Sequence, residues 1–341
     1  MKSGKVTMIE VARLAGVSPM TVSNVINNRV RVSDANRERV LGAIRESGYQ
    51  INLAARNLRS GRSGVIGLAV PQVANSYYGM LAALLIDQAE RQGYHIAIER
   101  TGTGTEAGAT AIAQSRPFQL DGLILAAVDV DPLTTPVSSQ SYPIVMLGEQ
   151  DAGGRFDHVM MPNEAGTAAA TTHLIEQGCG RIAVVTGPHL DRLTMVTRRY
   201  NGYRTALEEH GLRLEPELRF VLESLSWEGA REVGRRIADA GIGIDGVVAL
   251  NDTAAMGVVR GLRDRGVAVP KDVRVIGFDN VSESGNFIPS LSTVAPDHSW
   301  VAAKVFELML ARIDDPAGPP RQYTAPFELV RRESTSIPDR A

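Results

Sequence analysis

The N-terminal segment constrains the fold more than any other part of the chain, because it specifies two short helices joined by a tight turn. Thr7 is a helix-capping residue, and Glu10 three positions later completes a capping box. Gly16 fits the position just after a helix end, where the backbone turns left-handed. Ser18 then caps a second helix that begins at Pro19, a residue favoured at the first helical position. Together these signals predict a helix-turn-helix.

The apolar residues of this segment recur at helical spacing and predict the side on which the helices pack. The predicted seam consists of Ile9, Ala12, Leu14, Val22, Val25 and Ile26. The opposite side of the second helix carries Pro19, Met20, Ser23, Asn24 and Asn27. In a helix-turn-helix this outer face enters the major groove of DNA. We therefore expect a DNA-binding head.

The distribution of charge supports a DNA-binding head. The whole chain contains 36 Lys and Arg against 38 Asp and Glu, a formal net charge of −2. Residues 1–63 contain 11 basic and 4 acidic side chains, a net charge of +7, which leaves −9 for the remainder. A basic head on an acidic body is typical of a module that neutralises DNA phosphates.

Composition and motifs exclude several classes of protein. No apolar run approaches the roughly 18 residues of a membrane span, and the N-terminus lacks a secretory signal, so we expect a cytoplasmic protein. Cys179 is the only cysteine, and the six histidines show no metal-ligand spacing, so we expect no metal and no cofactor. The glycines of segment 102–108 are spaced wrongly for dinucleotide binding, and no Gly-x-Ser-x-Gly elbow is present. We therefore predict that the chain is not an enzyme.

Two further helices are predicted before the main body of the chain. Ser33 caps a third helix, and Gly48 ends it. Its predicted inward residues are Val40, Leu41 and Ile44. Asn52–Arg59 predicts a helix of about two turns, which is too short to be stable alone in water. These patterns predict a head over residues 1–50 and a linker over residues 51–63.

From Val65 onward short apolar strands alternate with amphipathic helices. The predicted strands cover residues 65–70, 94–98, 122–128, 144–147, 182–186, 220–222, 247–250 and 273–278. The predicted helices cover residues 77–92, 164–177, 197–209, 228–240 and 254–265. Apolar strands joined by helices predict parallel sheets covered on both faces. Because the series restarts near Asn163, we predict an α/β body of two doubly wound subdomains with a ligand cleft between them.

These parts, in this order, resemble the lactose/galactose repressor family of bacterial transcription regulators over essentially the whole chain. The matching motifs are residues 11–27, Arg199-Tyr200-Asn201-Gly202-Tyr203, Leu250-Asn251-Asp252 and Val275-Ile276-Gly277-Phe278-Asp279. The resemblance implies an effector-binding and dimerisation body of periplasmic-binding-protein type over residues 64–341. Its N-subdomain would cover about 64–161 and 291–322, and its C-subdomain about 162–290 and 323–341. It also implies a homodimeric repressor that binds a near-palindromic operator and is switched by a small molecule, most often a sugar.

The resemblance assigns DNA contacts to the head and the linker. Thr21 and Ser23 would contact phosphates, whereas Asn24 could pair with adenine in the major groove. Leu58 matches a side chain inserted between base pairs in the minor groove, where the linker helices of a dimer pack together. The predicted DNA-binding set is Thr7, Ser18, Pro19, Met20, Thr21, Ser23, Asn24, Asn27, Arg31, Asn52, Ala55 and Leu58.

The resemblance also assigns an effector site to the cleft. Arg199 and Asp279 would hydrogen-bond sugar hydroxyls, and Trp227 would stack on a sugar face. The predicted effector-binding set is Tyr77, Tyr78, Gly148, Arg199, Trp227, Asn251, Asp279 and His298. Because Arg198 adjoins Arg199, a phosphorylated or acidic metabolite is an alternative effector, and a nucleobase is a further alternative.

Two other classes of protein share parts of this pattern. A periplasmic sugar-binding protein would have the fold of the body, but it needs a secretion signal where this chain has a helix-turn-helix. A sugar-converting enzyme fused to a DNA-binding head would need a paired acid and base in the cleft, which the sequence does not offer. The sequence leaves open which effector binds, whether it induces or corepresses, which operator is recognised, and whether dimers assemble further.

Overall fold

The computed structural model describes residues 6–26, 32–49, 62–102, 119–126, 142–148, 154–191, 194–224 and 226–336. The chain forms two compact units, residues 1–63 and residues 64–341. Several predictions fall outside the described residues and stay predictions. They concern the linker helix 52–59, most of the glycine-rich segment 102–108, and the DNA contacts of Asn27, Arg31, Asn52, Ala55 and Leu58.

The first unit contains the predicted helix-turn-helix. Its helices are α1 (Met8–Ala15), α2 (Pro19–Ile26) and α3 (Asp34–Ser47). The capping box of α1 is complete, because the Glu10 amide donates to Thr7 Oγ1 at 3.3 Å and the Thr7 amide donates to Glu10 Oε2 at 2.6 Å. Ser18 Oγ accepts from the Thr21 amide at 3.1 Å, and Gly16 is left-handed with φ 63°. Ser33 lies at the start of α3, but its side chain makes no capping hydrogen bond, so that prediction is wrong.

The core of the head differs from the predicted seam. The buried side chains are Val11, Ala12, Ala15, Val22, Val25, Val40 and Ala43. Ile9 is 70% exposed and Leu14 is 51% exposed, so both were assigned to the wrong side of α1. Leu41 is likewise 41% exposed instead of facing inward. Since α1 packs through positions 11, 12 and 15, the helical period of 3.6 residues turns positions 9 and 14 outward.

A parallel six-stranded sheet forms the first subdomain of the second unit. Its strands are β1 (Val65–Val70), β2 (His95–Arg100), β3 (Gly122–Leu125), β4 (Ile144–Leu147), β5 (Asp157–Met160) and β11 (Gln322–Thr324), in the order β11-β5-β4-β3-β1-β2. Helices α4 (Ser76–Arg91) and α10 (His298–Asp314) pack on it through a shared apolar core. Strands with continuous apolar runs are thereby covered by helices, as parallel sheets require.

A second six-stranded sheet forms the second subdomain. Its strands are β6 (Ile182–Thr186), β7 (Arg219–Val221), β8 (Gly246–Ala249), β9 (Arg274–Phe278), β10 (Ser292–Pro296) and β12 (Phe327–Val330), in the order β12-β10-β9-β8-β6-β7. Only β12 among the described strands pairs antiparallel, with β10. The helices are α5 (Asn163–Glu176), α6 (Met195–Glu209), α7 (Trp227–Asp239), α8 (Asp252–Asp264) and α9 (Ser282–Asn286). The predicted α/β class with two doubly wound sheets is confirmed.

The points at which the chain passes from one sheet to the other differ from the predicted subdomain boundaries. Residues 292–296 form β10, which pairs with β9 and β12 and belongs to the second sheet, so the first subdomain resumes at His298 and not at residue 291. Residues 322–324 pair with β5, so the last crossing follows residue 324 and not residue 322. No helix among the described residues has the length and apolar character to cross a membrane.

Gly202 allows α5 and α6 to pack closely, which gives a test of the fold. A Cβ at this position would lie 2.2 Å from the Glu164 carbonyl oxygen. We expect Gly202→Ala to lower the free energy of unfolding by about 1–3 kcal/mol, because backbone must shift to relieve the overlap. Gly79→Ala on α4 is the control, since no atom lies within 4 Å of its added Cβ. Urea unfolding measures both variants, and equal stabilities would contradict the close approach.

Candidate functional site

Polar and aromatic side chains from both subdomains meet at the carboxyl edge of the second sheet. Arg199 extends from α6, Asp279 follows β9, and His298 begins α10. Tyr77 and Tyr78 lie in the first turn of α4, in the first subdomain. Ligands of open parallel sheets bind outside the carboxyl ends of the strands, so this is the expected position for a site.

Arg199 is the buried centre of this site, with 6% of its surface exposed. Its Nη2 donates to Asp279 Oδ1 at 3.1 Å, and its Nε donates to Asn163 Oδ1 at 2.7 Å. Its Nη1 donates to the Leu250 carbonyl, and its guanidinium lies 3.6 Å from the centre of the Phe278 ring. The structure therefore pairs Arg199 with Asp279 and surrounds the pair with further partners.

Asp279 is held in an unusual backbone conformation beside Arg199. Its φ is 105°, in a region that residues other than glycine rarely adopt and that clusters at functional sites. Burial raises the pKa of its carboxyl, and the opposing effects of Arg199 and His298 do not fully offset this. Its carbonyl oxygen accepts from His298 Nε2 at 2.6 Å, which joins the segment after β9 to the start of α10.

Asp252 supports the segment that carries Asp279, a role that the sequence did not reveal. It is fully buried, and its Oδ2 accepts from the Val281 amide at 3.0 Å and from Ser284 Oγ at 2.6 Å. Its Oδ1 accepts from Thr293 Oγ1 at 2.6 Å. Burial, with repulsion from Asp279, raises its pKa to about 7 despite these three donors. An acidic residue at the start of a helix usually indicates only a favourable interaction with the helix dipole. The sequence around Asp252 therefore gave no sign that its side chain supports the segment of Asp279.

Contacts from the first turn of α4 connect the two subdomains. The Tyr77 ring packs edge-on against His298, which belongs to the same subdomain, with centroids 5.7 Å apart. Burial and the Asp279 carboxylate raise the pKa of Tyr78, although Arg199 acts in the opposite sense. Ser76 Oγ donates to Glu283 Oε1 at 2.6 Å, from α4 to α9. The site is thus lined by both subdomains.

Two residues of the predicted effector-binding set make other hydrogen bonds, and a third is exposed. Asn251 uses its Oδ1 to cap α8, accepting from the Ala254 amide at 2.8 Å. Gly148 ends β4, and its carbonyl accepts from His158 Nε2. Trp227 is 46% exposed at the start of α7. Among the described residues, no hydrogen bond or ring contact joins these three to Arg199 or Asp279, so their predicted roles stay predictions.

The outer face of α2 presents most of the predicted DNA-binding side chains of the head. Ser18, Pro19 and Met20 are exposed, and Met20 reaches 69% exposure. Thr21, Ser23 and Asn24 are half-buried, and the hydroxyls of Thr21 and Ser18 are 2.9 Å apart. Thr7 is exposed while its side chain completes the capping box of α1.

A helix-turn-helix followed by two linked α/β subdomains defines the class of DNA-binding regulators with a ligand-binding body. Comparison with known families gives the same result. Residues 7–52 match the bacterial regulatory proteins of the lacI family, and residues 171–335 match a periplasmic binding protein-like domain.

Known relatives extend over nearly the whole chain. It is 31% identical over 336 residues to the HTH-type transcriptional repressor PurR of Vibrio atlanticus, covering 96% of this chain and 98% of the relative. It is 30% identical over 331 residues to the ribose operon repressor of Halalkalibacterium halodurans, covering 96% and 97%. A solved LacI-family regulator from Sanguibacter keddieii is 38% identical with a TM-score of 0.73, covering 81% of this chain and 100% of that one. The chain belongs to the lacI family, whose members regulate transcription and are not enzymes.

Proposed function

We propose that the chain is a homodimeric repressor that binds a near-palindromic operator and is controlled by a sugar or sugar derivative bound between its subdomains. The buried Arg199–Asp279 pair at the junction of the two subdomains carries this proposal. A guanidinium donates and a carboxylate accepts, so the pair together suits hydroxyl groups, which do both. The name of the ribose operon repressor, a relative over nearly the whole chain, supports the same chemistry.

The charge balance of the site favours a neutral sugar over a phosphorylated or acidic effector. Arg199 is matched by Asp279 at 3.1 Å, and Arg198 lies 3.7 Å from Glu164. A bound phosphate would lie close to the buried Asp279 carboxylate. The two arginines that could attract it are each already paired with a carboxylate. Like charges at such a site cost free energy, so the anion is disfavoured.

A nucleobase is the second candidate effector, because several rings cluster beside Arg199. Tyr77 contacts Tyr78 with ring centroids 5.1 Å apart and contacts His298 at 5.7 Å. A planar base could stack on such rings. The test below therefore includes purine bases.

A thermal-unfolding screen tests the class of effector. The full-length protein would be heated with pentoses, hexoses, disaccharides, sugar phosphates and purine bases. A ligand that binds only the folded state stabilises it, by about 2.7 kcal/mol at one hundred times its Kd. We expect sugars to raise the melting temperature. Stabilisation by sugar phosphates or purine bases alone would contradict the proposed sugar.

Asn24 is expected to determine part of the operator sequence. Its side chain lies on α2 among the predicted base-reading positions and can bond an adenine edge with both its donor and its acceptor. We expect Asn24→Ala to lose about 1–3 kcal/mol of discrimination at one base position in each half-site. Selection from random duplexes, followed by fluorescence anisotropy, measures this loss.

Thr21→Ala is the matched control on the same helix. A hydroxyl that contacts phosphate fixes position without reading sequence, so this change should weaken binding to all duplexes similarly. An unchanged sequence preference for Asn24→Ala would refute the base-reading role.

A further inference from the structure

A row of four hydrogen-bonded residues crosses the candidate effector site. It begins at Asn163, whose Oδ1 accepts from Arg199 Nε at 2.7 Å. It continues through Arg199 Nη2 to Asp279 Oδ1 at 3.1 Å. It ends where His298 Nε2 meets the Asp279 carbonyl oxygen at 2.6 Å. The row joins the start of α5 to the start of α10.

Each end of this row carries a buried polar atom that finds no hydrogen-bond partner within the part of the chain that the structure describes. These atoms are Asn163 Nδ2 and His298 Nδ1. Asn163 is 2% exposed and His298 is 9% exposed. More than nine-tenths of buried polar groups in proteins are paired, because an unpaired one costs about 1–3 kcal/mol. These two atoms lie at the ends of one row at the candidate effector site, where a bound effector would supply their partners.

The partners inside the row fix what each end can do. Asn163 meets the Arg199 donor through its oxygen, so its amide nitrogen is left as a donor. His298 Nε2 faces a carbonyl oxygen, which only accepts, so Nε2 must carry the proton. In the neutral imidazole Nδ1 is then an acceptor. The row presents one free donor and one free acceptor.

We propose that Asn163 and His298 determine effector specificity, Asn163 Nδ2 by donating to an effector oxygen and His298 Nδ1 by accepting from an effector hydroxyl. This inference rests on the proposed function, namely that an effector binds between the subdomains. A polyol satisfies both ends, since each hydroxyl donates and accepts. A phosphate group is largely unprotonated near neutral pH, so it lacks the proton that His298 requires.

The test uses variants that change the unpaired atom of Asn163 or His298 and can keep the residue's hydrogen bond within the row. Asn163→Asp keeps an oxygen for Arg199 and replaces the free donor with an acceptor. His298→Gln can keep a donor for the Asp279 carbonyl and removes the acceptor at the Nδ1 position. The controls are Ala165→Ser and Ser299→Ala, which change an exposed residue close to Asn163 and to His298. Thermal unfolding without ligand establishes that each variant is folded.

The probes are D-ribose, D-xylose, D-glucose and D-galactose with their monodeoxy derivatives, titrated calorimetrically into the full-length protein. We expect each site variant to weaken the best-binding sugar by about 5- to 150-fold, and the controls to leave it unchanged. One monodeoxy sugar should bind the wild type weakly and lose no further affinity in His298→Gln. Equal affinity of the wild type and both site variants would overturn this inference and leave the proposed function intact.

A second measurement on His298 needs no effector. Nitrogen-15 chemical shifts of histidine-labelled protein distinguish the two neutral forms of the imidazole ring. We expect the proton of His298 on Nε2, and a proton on Nδ1 would overturn the inference even if sugars bind. If no probe binds the wild type, the proposed sugar effector fails and the specificity roles of both residues fail with it.

Discussion

Arg199→Met is expected to lower the free energy of unfolding by about 3–5 kcal/mol and to abolish effector binding. Arg199 and Asp279 are 6% and 7% exposed, so the change leaves a carboxylate buried without its cation. It also removes the donors to Asn163 Oδ1 and the Leu250 carbonyl. Urea unfolding measures the loss of stability, and calorimetry with the sugar found by thermal screening measures the loss of binding.

The adjacent arginine gives the matched control for this prediction. Arg198 lies 3.7 Å from Glu164 with 27% of its side chain exposed. Partly exposed pairs of this kind contribute about 0–1 kcal/mol, so Arg198→Met should be nearly as stable as the wild type. The double change Arg199→Met with Asp279→Asn should recover part of the lost stability, because neither member of the buried pair then carries a charge. Equal effects of Arg199→Met and Arg198→Met would contradict the buried pair.

Asp157→Asn is expected to destabilise the first subdomain by about 3–5 kcal/mol at neutral pH. The carboxylate is 1% exposed and accepts from Arg312 Nε at 2.7 Å, Arg312 Nη2 at 3.0 Å and the Arg321 amide at 2.7 Å. The amide cannot accept all of these bonds, and Arg312, which is 8% exposed, would lose its counter-charge. Arg312 also donates to the carbonyls of Pro316, Gly318 and Pro319, so the chain after α10 would loosen.

The pH dependence of this effect follows from the pKa of Asp157. Burial alone would raise it, but hydrogen bonds from Arg312 and Arg321 hold the pKa below its ordinary value of 3.8. A pKa lowered by folding adds stability above the unfolded pKa, and this stability is lost as the pH falls through the folded pKa. The stability gap between the wild type and Asp157→Asn should therefore be full at pH 7 and shrink below about pH 4. Asp315→Asn, at an exposed position, is the control, and a gap that does not change with pH would contradict this assignment.

Local signals predicted the head well, because capping depends on residues close in sequence. Thr7, Glu10, Gly16 and Ser18 all make the predicted caps or turn. The wrong assignment of Ile9 and Leu14 has a different cause. Both are apolar, but α3 packs against the other side of α1. The apolar periodicity of a single helix does not predict which side a neighbouring helix will cover.

The strands that the sequence did not predict depend on distant partners. Residues 292–296 contain Ser, Thr and Pro and lack a long apolar run. They form a strand because they pair with β9 on one side and β12 on the other. This pairing is also the reason that the first subdomain resumes later than residue 291. Strand propensity depends on such surroundings more than helix propensity does.

The candidate site was only partly predictable for the same reason. The motifs that contain Arg199 and Asp279 resemble those of a known family, so both could be named without a structure. Asp252 and Thr293 bond across 41 residues of sequence, and Ser76 and Glu283 bond across 207. Asn163 was identified only as the start of a second series of elements, although its side chain bonds Arg199 across 36 residues. No local spacing encodes these contacts.

Reciprocal titration of duplex and sugar with the full-length protein tests most directly whether the second unit controls the head. Fluorescence anisotropy would give the affinity for a selected duplex with and without saturating sugar, and calorimetry would give the sugar affinity with and without that duplex. We expect both affinities to change by the same factor, about 5- to 150-fold. A duplex affinity that stays constant when the site between the subdomains is saturated would contradict control of DNA binding by this site.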